Sequence, residues 1–123
     1  MLGQALDAAL GDRRGIRRYG HAVVPMDEAR AAVALDLSGR PFLRWEGLTL
    51  PPGEIAGFDH DLAEEFFRAV SSAARLTLHV DLQAGTNAHH LIEAAFKAFA
   101  RALRVAMSVD PDESGVPSTK GVL

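Results

Sequence analysis

One strictly alternating segment between two helical patterns limits how this chain can fold. Across residues 76–82 every second residue is leucine or valine and the residues between them are polar, which is the pattern of a strand with one buried face. Apolar residues recur at helical spacing before it, over residues 62–75, and after it, over residues 88–107. Because such a strand must cover its apolar face, we expect both helices to pack on one face of a sheet.

The first half of the sequence predicts the other strands. Residues 33–37 alternate between larger apolar residues and small or polar ones, and a Ser-Gly-Arg-Pro turn follows at 38–41. Residues 42–45 predict a return strand that pairs with the preceding strand as a hairpin, and residues 48–57 predict a loop. The expected order is helix fragment, two or three strands, helix, strand, helix and tail. The expected fold class is α+β: a two-layer half-domain with a small mixed or antiparallel sheet, βββαβα-like, and two helices packed on one face.

Each helix is expected to bury one stripe of apolar residues. Asp59 or Asp61 can cap the first of the two helices, and its predicted core stripe is Leu62, Phe66, Ala69, Val70 and Ala73. The predicted core face of the longest helix is Ile92, Ala95, Phe96, Phe99, Leu103 and Ala106. A further helical pattern at residues 2–10 ends at Gly11 and begins without a capping residue, so we interpret it as the end of a longer helix.

Charge and cysteine content exclude several classes of protein. The 123 residues carry 13 Lys and Arg against 16 Asp and Glu, a formal net charge of -3, whereas proteins that mainly bind nucleic acid are usually basic. The absence of cysteine excludes disulfides, zinc fingers and thiol nucleophiles. No apolar run approaches the ~20 residues that span a bilayer, and the first residues lack the features of a signal peptide. We therefore expect a soluble, cytoplasmic protein.

The segment Asn87-Ala-His-His-Leu-Ile-Glu carries the sharpest chemical signal. On a helix, His90 lies three residues and His89 four residues before Glu93, and both spacings allow the side chains to converge. Neutral imidazole and carboxylate together suit Mn(II), Fe(II) or Zn(II). Adjacent histidines point about 100° apart on a helix, which favours two metals or two faces of an interface over chelation of one ion. The alternative is a polar first turn in which Glu93 pairs with Lys97.

Other polar clusters have both a chemical and a structural interpretation. Asp27 and Glu28 suit proton transfer, or they are exposed charges. A basic cluster suits phosphate binding or a solvated loop; it comprises Arg13, Arg14, Arg17 and Arg18. Ser118-Thr-Lys-Gly offers hydroxyls, an ammonium group and accessible backbone to an anion, although such a tail is usually disordered. Glu64 and Glu65 most simply form a solvated helix face.

Eight short segments follow one another along the chain. They are Leu2-Gly-Gln-Ala-Leu, Gly11-Asp-Arg-Arg-Gly-Ile-Arg-Arg, Pro25-Met-Asp-Glu-Ala, Asp36-Leu-Ser-Gly-Arg-Pro, Glu65-Phe-Phe, Thr77-Leu-His, Asn87-Ala-His-His-Leu-Ile-Glu-Ala-Ala-Phe-Lys-Ala and Pro117-Ser-Thr-Lys-Gly. Each is modest alone, but in this order they resemble one family, imidazoleglycerol-phosphate dehydratase of histidine biosynthesis. The resemblance covers essentially the whole chain. It implies a lyase that removes water from imidazoleglycerol phosphate to give imidazoleacetol phosphate.

The resemblance also implies roles for individual residues. The implied metal ligands are Glu65, His89, His90 and Glu93, and Glu65 stands where many members have histidine. The implied metal is manganese, Mn(II), with two ions per complete site and with ligands from both halves of the protein and from neighbouring subunits. The residues implied to hold the substrate or its phosphate are Arg18, Arg40, Lys97, Ser118 and Lys120. No residue is assigned as the catalytic acid or base.

Only part of the family pattern is present in this sequence. The resemblance implies an internal duplication in which each half carries a His-His-x-x-Glu type of motif, whereas this chain has one motif and resembles the second half. We therefore expect a helix remnant at residues 1–11, a C-terminal half-domain at 12–109 and a substrate-binding tail at 110–123. Such a half is expected to be inactive alone, although the intact family is implied to form homo-oligomers of 24 subunits. The alternative is a self-associating metal-binding half-domain without catalysis.

Overall fold

A four-stranded mixed sheet with its helices on one face forms the body of the computed structural model, which describes residues 1–123. In chain order the elements are α1 Leu2–Leu10, β1 Tyr19–Met26, β2 Ala29–Asp36, β3 Phe42–Gly47, β4 Glu54–Ile55, β5 Phe58–Asp59, α2 Leu62–Ala74, β6 Thr77–Ala84 and α3 Ala88–Met107. Strands β4 and β5 form a separate small hairpin. None of the three helices combines the length and apolar character needed to cross a membrane. The arrangement confirms the predicted α+β fold class.

The strand order is β1-β2-β6-β3, and one prediction about it is wrong. Strand β2 pairs antiparallel with β1 and β6, but β3, predicted to return as a hairpin against β2, pairs parallel with β6. Leu78, Val80 and Leu82 of β6 are almost fully buried, and a strand this apolar is best covered at the centre of the sheet. The turn before β3 crosses the start of β6, where Ser38 Oγ lies 2.9 Å from Thr77 Oγ1.

Helix α3 closes the core over β1 and β2, and its backbone touches β1 directly. Its buried residues include Ala95, Phe99 and Ala106. A Cβ atom placed on Gly20 of β1 would lie 1.9 Å from the carbonyl oxygen of Ala102. Glycine is therefore required at position 20 for the strand and the helix to approach this closely.

Helix α2 buries a face that differs from the predicted one by about one residue position. The predicted stripe includes Leu62 and Ala69, yet both are exposed. The buried residues are Ala63, Phe67, Val70, Ser71 and Ala74. The reason is the place of Phe67, whose ring centroid lies 5.8 Å from that of Trp45, 4.8 Å from that of Phe96 and 5.4 Å from that of Phe99.

A buried arginine joins α1 to the C-terminal end of α2. The side chain of Arg13 is fully buried, and its Nη2 donates hydrogen bonds to Asp7 Oδ1 at 2.7 Å and to the Ala74 carbonyl at 2.9 Å. Its Nη1 donates to the carbonyl of Arg75 at 3.3 Å. The side chain of Arg75 also donates to Asp7, and these bonds, from Arg75 first and then Arg13, hold the pKa of Asp7 below its usual value. A cation at this position also complements the partial negative charge of the helix end.

Candidate functional site

The predicted histidine pair lies on the first turn of α3, where the start of the helix is well fixed. The side-chain oxygen of Asn87 caps the helix by accepting the backbone N–H of His90 at 3.1 Å. Gly85, with a φ of 132°, turns the chain between β6 and α3. His89 and His90 therefore project from a capped helix end rather than from a loose loop.

His89 and Glu93 form the first of two pairs at this helix start. Nε2 of His89 lies 3.0 Å from Oε2 of Glu93, and Oε1 of the same carboxylate lies 2.9 Å from Nζ of Lys97. The Glu93–Lys97 pair that was the structural alternative therefore exists beside the histidine contact. Hydrogen bonds, from Lys97 first and then from His89, lower the pKa of Glu93. This carboxylate is therefore ionised at neutral pH and can act as an anionic metal ligand.

His90 and Glu28 form the second pair, across 62 residues of sequence. Glu28 lies in the turn between β1 and β2, and its Oε1 is hydrogen-bonded to Nδ1 of His90. This bond is the main cause that lowers the pKa of Glu28 to about 2 and raises the pKa of His90. Nε2 of His90 lies 3.6 Å from Oδ2 of Asp27. The sequence indicated an acidic pair at these positions but not its partner, since only the topology brings the turn to α3.

The two pairs point in different directions, as expected for adjacent histidines on a helix. The ring centroids of His89 and His90 are 6.2 Å apart and the ring planes differ by 71°. Within the chain, no three His, Asp or Glu side chains are grouped so that they could hold a metal ion. Glu65, the fourth predicted ligand, is exposed on the first turn of α2. The four predicted ligands therefore do not form one site within a single chain.

Each pair nevertheless has the donor chemistry of part of a metal site. Two neighbouring ligands that are each about 2.1 Å from an octahedral ion are about 3.0 Å apart, and the nitrogen–oxygen distance between His89 and Glu93 is 3.0 Å. Imidazole nitrogen with carboxylate oxygen suits a divalent ion such as Mn(II). The donor types and the spacing of each pair therefore fit part of a coordination shell, and neither pair is completed by a third donor of this chain.

A basic cavity brings together four of the five residues predicted to hold substrate. Arg18, Arg40, Ser118 and Lys120 line an open cavity of about 700 Å³. Lys120 forms no ion pair, and Arg40 approaches a carboxylate only at 4.0 Å. The fifth residue, Lys97, lies outside the cavity and pairs with Glu93. Glu113 also lines the cavity, but Arg40 and Lys120 bring it positive charge that suits a phosphate group.

Arg18 builds this cavity by joining distant parts of the chain. Its Nε and Nη2 donate to the two carboxylate oxygens of Asp36 at 2.6 and 3.1 Å, and its Nη1 donates to the carbonyl of Pro117 at 2.9 Å. The bond to Asp36 raises the pKa of Arg18, so its charge is permanent. The segment around Ser118 is therefore held beside β1, in contrast to the alternative of a disordered tail.

The cavity and the histidine pairs lie at opposite ends of β1. Arg18 directly precedes Tyr19, the first residue of the strand, and Asp27 directly follows Met26, the last. At about 3.3 Å per residue, a strand of eight residues spans roughly 25 Å. A single metabolite-sized ligand cannot contact both places within one chain.

Apolar side chains are exposed near these polar groups. Tyr19, Val23 and Phe42 are each more than half exposed on the sheet face opposite to the helices. Ile55 and Phe58 of the small hairpin line a shallow cavity of about 340 Å³ together with His89. Tyr19 and Val23 lie on one edge strand of the sheet and Phe42 on the other, so these apolar side chains are scattered rather than one continuous patch.

Comparison with known sequences points to one family. The family model described as imidazoleglycerol-phosphate dehydratase matches residues 1–103. The chain is 61% identical over 122 residues to the imidazoleglycerol-phosphate dehydratase of Moorella thermoacetica, and 58% identical over 123 residues to that of Jannaschia sp.. These matches include 99% of the chain but 62% and 63% of the two relatives. The chain thus spans about three fifths of the length of the curated relatives that it matches.

Solved structures give the same result for the fold. A crystal structure of imidazoleglycerol-phosphate dehydratase from Staphylococcus aureus is 48% identical, with a TM-score of 0.84 over 89% of this chain and 63% of that one. The crystal structure from Pyrococcus furiosus, in complex with (S)-C348, is 39% identical, with a TM-score of 0.85 over 99% of this chain and 65% of that one. At 48% and 39% sequence identity, both structures support membership of the same family as well as the same fold.

Proposed function

Since the chain belongs to the imidazoleglycerol-phosphate dehydratase family, we propose that it serves the dehydration of imidazoleglycerol phosphate to imidazoleacetol phosphate in histidine biosynthesis. The observation that carries this proposal is the basic cavity beside β1. The phosphate group is the most strongly charged part of the proposed substrate. Phosphate oxygens are bound best by hydrogen-bond donors of two kinds, cationic side chains and hydroxyl groups, and the cavity has both.

The residues around the cavity have distinct tasks in the proposed binding of phosphate. Arg40 and Lys120 are exposed and supply charge that no carboxylate neutralises at close range. The hydroxyl of Ser118 accepts the backbone N–H of Lys120 at 3.2 Å, which leaves its own proton free to donate to a phosphate oxygen. Arg18 is engaged by Asp36 and Pro117, so its main task is to hold the shape of the cavity.

The histidine end of the chain is proposed to bind the imidazole end of the substrate through metal. When bound, Mn(II), with two ions in each complete site, would supply Lewis-acid stabilisation of negative charge on the substrate ring. His89, His90 and Glu93 would hold it, and Glu65, exposed on α2, is available to a site completed by another chain. The substrate proton to be removed lies on carbon beside the ring and is not acidic, so fixed positions for ring and phosphate are essential.

We infer that a complete site needs more than one chain. The roughly 25 Å length of β1 separates the cavity from the histidine pairs, and the chain contains no full set of metal donors. The cavity of one copy would therefore combine with the histidine pairs of another in a homo-oligomer. An isolated copy is expected to bind substrate at one end and to be inactive.

A chimera tests the proposed reaction directly. In it, this chain replaces the matching 122 residues of the Moorella thermoacetica relative, and product formation is measured with Mn(II) present. We expect the chimera to dehydrate imidazoleglycerol phosphate. Lys120→Met in the chimera should raise KM about tenfold or more, because a charge-assisted hydrogen bond to phosphate is worth about 1.5–3 kcal/mol.

The matched control for that chimera is Arg68→Met. Arg68 is an exposed cation on α2 that pairs with Glu64 at 2.8 Å, away from the cavity, and its replacement should leave KM unchanged. A folded chimera without turnover would contradict the proposed function. Equal KM values for the Lys120 and Arg68 variants would contradict the role of the cavity.

The second candidate function is a self-associating, metal-binding half-domain without catalysis. The exposed apolar residues Tyr19, Val23 and Phe42 favour it, because a second copy on this face of the sheet would bury them. The purified chain is then expected to form an oligomer that binds Mn(II) and shows no turnover, as measured by light scattering and by assay. A strictly monomeric chain would contradict self-association, and turnover by the purified chain would contradict a function without catalysis.

A further inference from the structure

Glu28 makes three polar contacts that reach from the β1–β2 turn to the start of α3. Its Oε1 is hydrogen-bonded to Nδ1 of His90. Its Oε2 accepts the backbone N–H of Thr86 at 2.8 Å and that of Asn87 at 3.3 Å. Both carboxylate oxygens are therefore in use, and each has a different kind of partner.

These contacts fix where the imidazole proton of His90 lies. An ionised carboxylate can only accept hydrogen bonds, so Nδ1 of His90 must be the donor and must carry the proton. In the neutral ring, Nε2 is then left with a free lone pair. Nε2 is also the nitrogen that faces Asp27, with Oδ2 at 3.6 Å.

The backbone beside Glu28 leaves room for this carboxylate. A Cβ atom on Gly85 would lie 2.9 Å from Oε2 of Glu28 and 2.9 Å from the Cα atom of Ala29. Gly85 also has a φ of 132°, a backbone angle that residues with a side chain rarely adopt. The turn before α3 is thus shaped so that Glu28 can reach the two backbone N–H groups.

His89, the neighbouring histidine, is held differently. Its contact with Glu93 is made through Nε2, at 3.0 Å, so two predicted ligands touch each other. In the His90 pair, Glu28 contacts Nδ1 and leaves Nε2 free of that carboxylate. In the His90 pair, therefore, the carboxylate belongs to a residue outside the predicted ligand set, and Nε2 is the ring nitrogen without a hydrogen bond.

We propose that Glu28 is a positioning residue, which fixes the Nδ1–H tautomer of His90 and thereby makes Nε2 the metal-binding atom. The inference rests on the proposed function, since it concerns the same metal site. It adds to that site a residue that the predicted ligand set does not contain. Carboxylates that hold a ligating histidine in this way raise its basicity and fix the ring orientation.

The variant Glu28→Gln gives a specific test. The two backbone N–H groups of Thr86 and Asn87 need an acceptor, so the amide oxygen of glutamine takes the place of Oε2. The amide nitrogen then faces Nδ1 of His90 and donates to it, which moves the ring proton to Nε2. Long-range ¹H–¹⁵N NMR of the metal-free chain, at a pH where the ring is neutral, should show Nδ1–H in the wild type and Nε2–H in the variant.

Metal affinity supplies the second readout. Because Nε2–H cannot bind a metal, Glu28→Gln in the chimera described above should weaken binding of Mn(II) about 10–100-fold, the usual range for such supporting residues, as measured from the EPR signal of free Mn(II). Glu28→Asp keeps an acceptor-only carboxylate and should keep the Nδ1–H tautomer. The matched control Glu46→Gln changes an exposed glutamate that pairs with Arg44 on β3, and it should alter neither readout.

The outcomes separate the inference from the proposed function. An unchanged tautomer or unchanged Mn(II) affinity in Glu28→Gln would overturn the role of Glu28 even if the unsubstituted chimera binds Mn(II). Absence of Mn(II) binding by the unsubstituted chimera would overturn the metal site itself. A tautomer change together with weaker Mn(II) binding, in a variant whose circular dichroism matches the wild type, would establish the inference.

Discussion

Replacing Gly20 with valine is expected to lower the free energy of unfolding by more than about 3 kcal/mol. A Cβ atom at this position would lie 1.9 Å from the Ala102 carbonyl oxygen and 3.1 Å from the backbone nitrogen of Ala106. These are backbone atoms in the last two turns of α3, so they cannot move aside as a side chain would. Either β1 and α3 separate or the sheet edge detaches, and both outcomes expose the core. Urea unfolding followed by circular dichroism measures the effect.

Gly115→Ala is the matched control for that variant. A Cβ atom on Gly115 would have its nearest contact at 3.9 Å, with a side-chain oxygen of Glu113, and this glycine does not have a positive φ. Its free energy of unfolding should stay within about 0.5 kcal/mol of the wild type. A Gly20→Val chain as stable as Gly115→Ala would show that α3 does not lie on β1 in the way described.

Replacing Arg13 with methionine is expected to cost about 3 kcal/mol of stability. Methionine fills much of the same space, so the loss comes from the hydrogen bonds. The carbonyls of Ala74 and Arg75 lose their donor, and Asp7 keeps only its bonds to the side chain of Arg75. Since Arg13 is fully buried, water replaces these bonds only if α1 moves away from α2. Urea unfolding, with Trp45 as the fluorescent reporter, measures the loss.

Arg14→Met separates burial from charge in this experiment. Arg14 is the next residue, is exposed, and pairs at 2.8 Å with Asp12, which is also exposed. An exposed ion pair contributes little to stability, so this variant should unfold within about 0.5 kcal/mol of the wild type. Equal stability of the Arg13 and Arg14 variants would refute the structural role of the buried guanidinium.

The local elements of the fold could be predicted from the sequence, but their partners could not. The limits of α3 and the alternation in β6 follow from patterns within each segment, and the structure confirms both. The pairing of β3 depends on which strand becomes an inner strand of the sheet. That strand is β6, which comes later in the chain than β3. The face of α2 was misplaced because its apolar residues come in adjacent pairs that point to two sides of the helix, and only the ring cluster around Phe67 selects one side.

The candidate site shows the same division between local and distant contacts. The His89–Glu93 and Glu93–Lys97 contacts span four residues, so helix spacing alone predicted them. The contact between Glu28 and His90 spans 62 residues, and the one between Arg18 and Pro117 spans 99. No periodicity encodes such distances. These contacts arise because the fold places the β1–β2 turn beside the start of α3, and the start of β1 beside the C-terminal segment around Pro117.

The length of β1 has a consequence for how activity depends on dilution. If each complete site joins the cavity of one copy to the histidine pairs of another, the number of sites depends on how often copies meet. When most copies are monomeric, the number of complete sites rises with the square of the protein concentration. When most copies are assembled, the number of complete sites is directly proportional to the protein concentration. Dilution would then remove catalysis while every chain stays folded and every half-site stays intact.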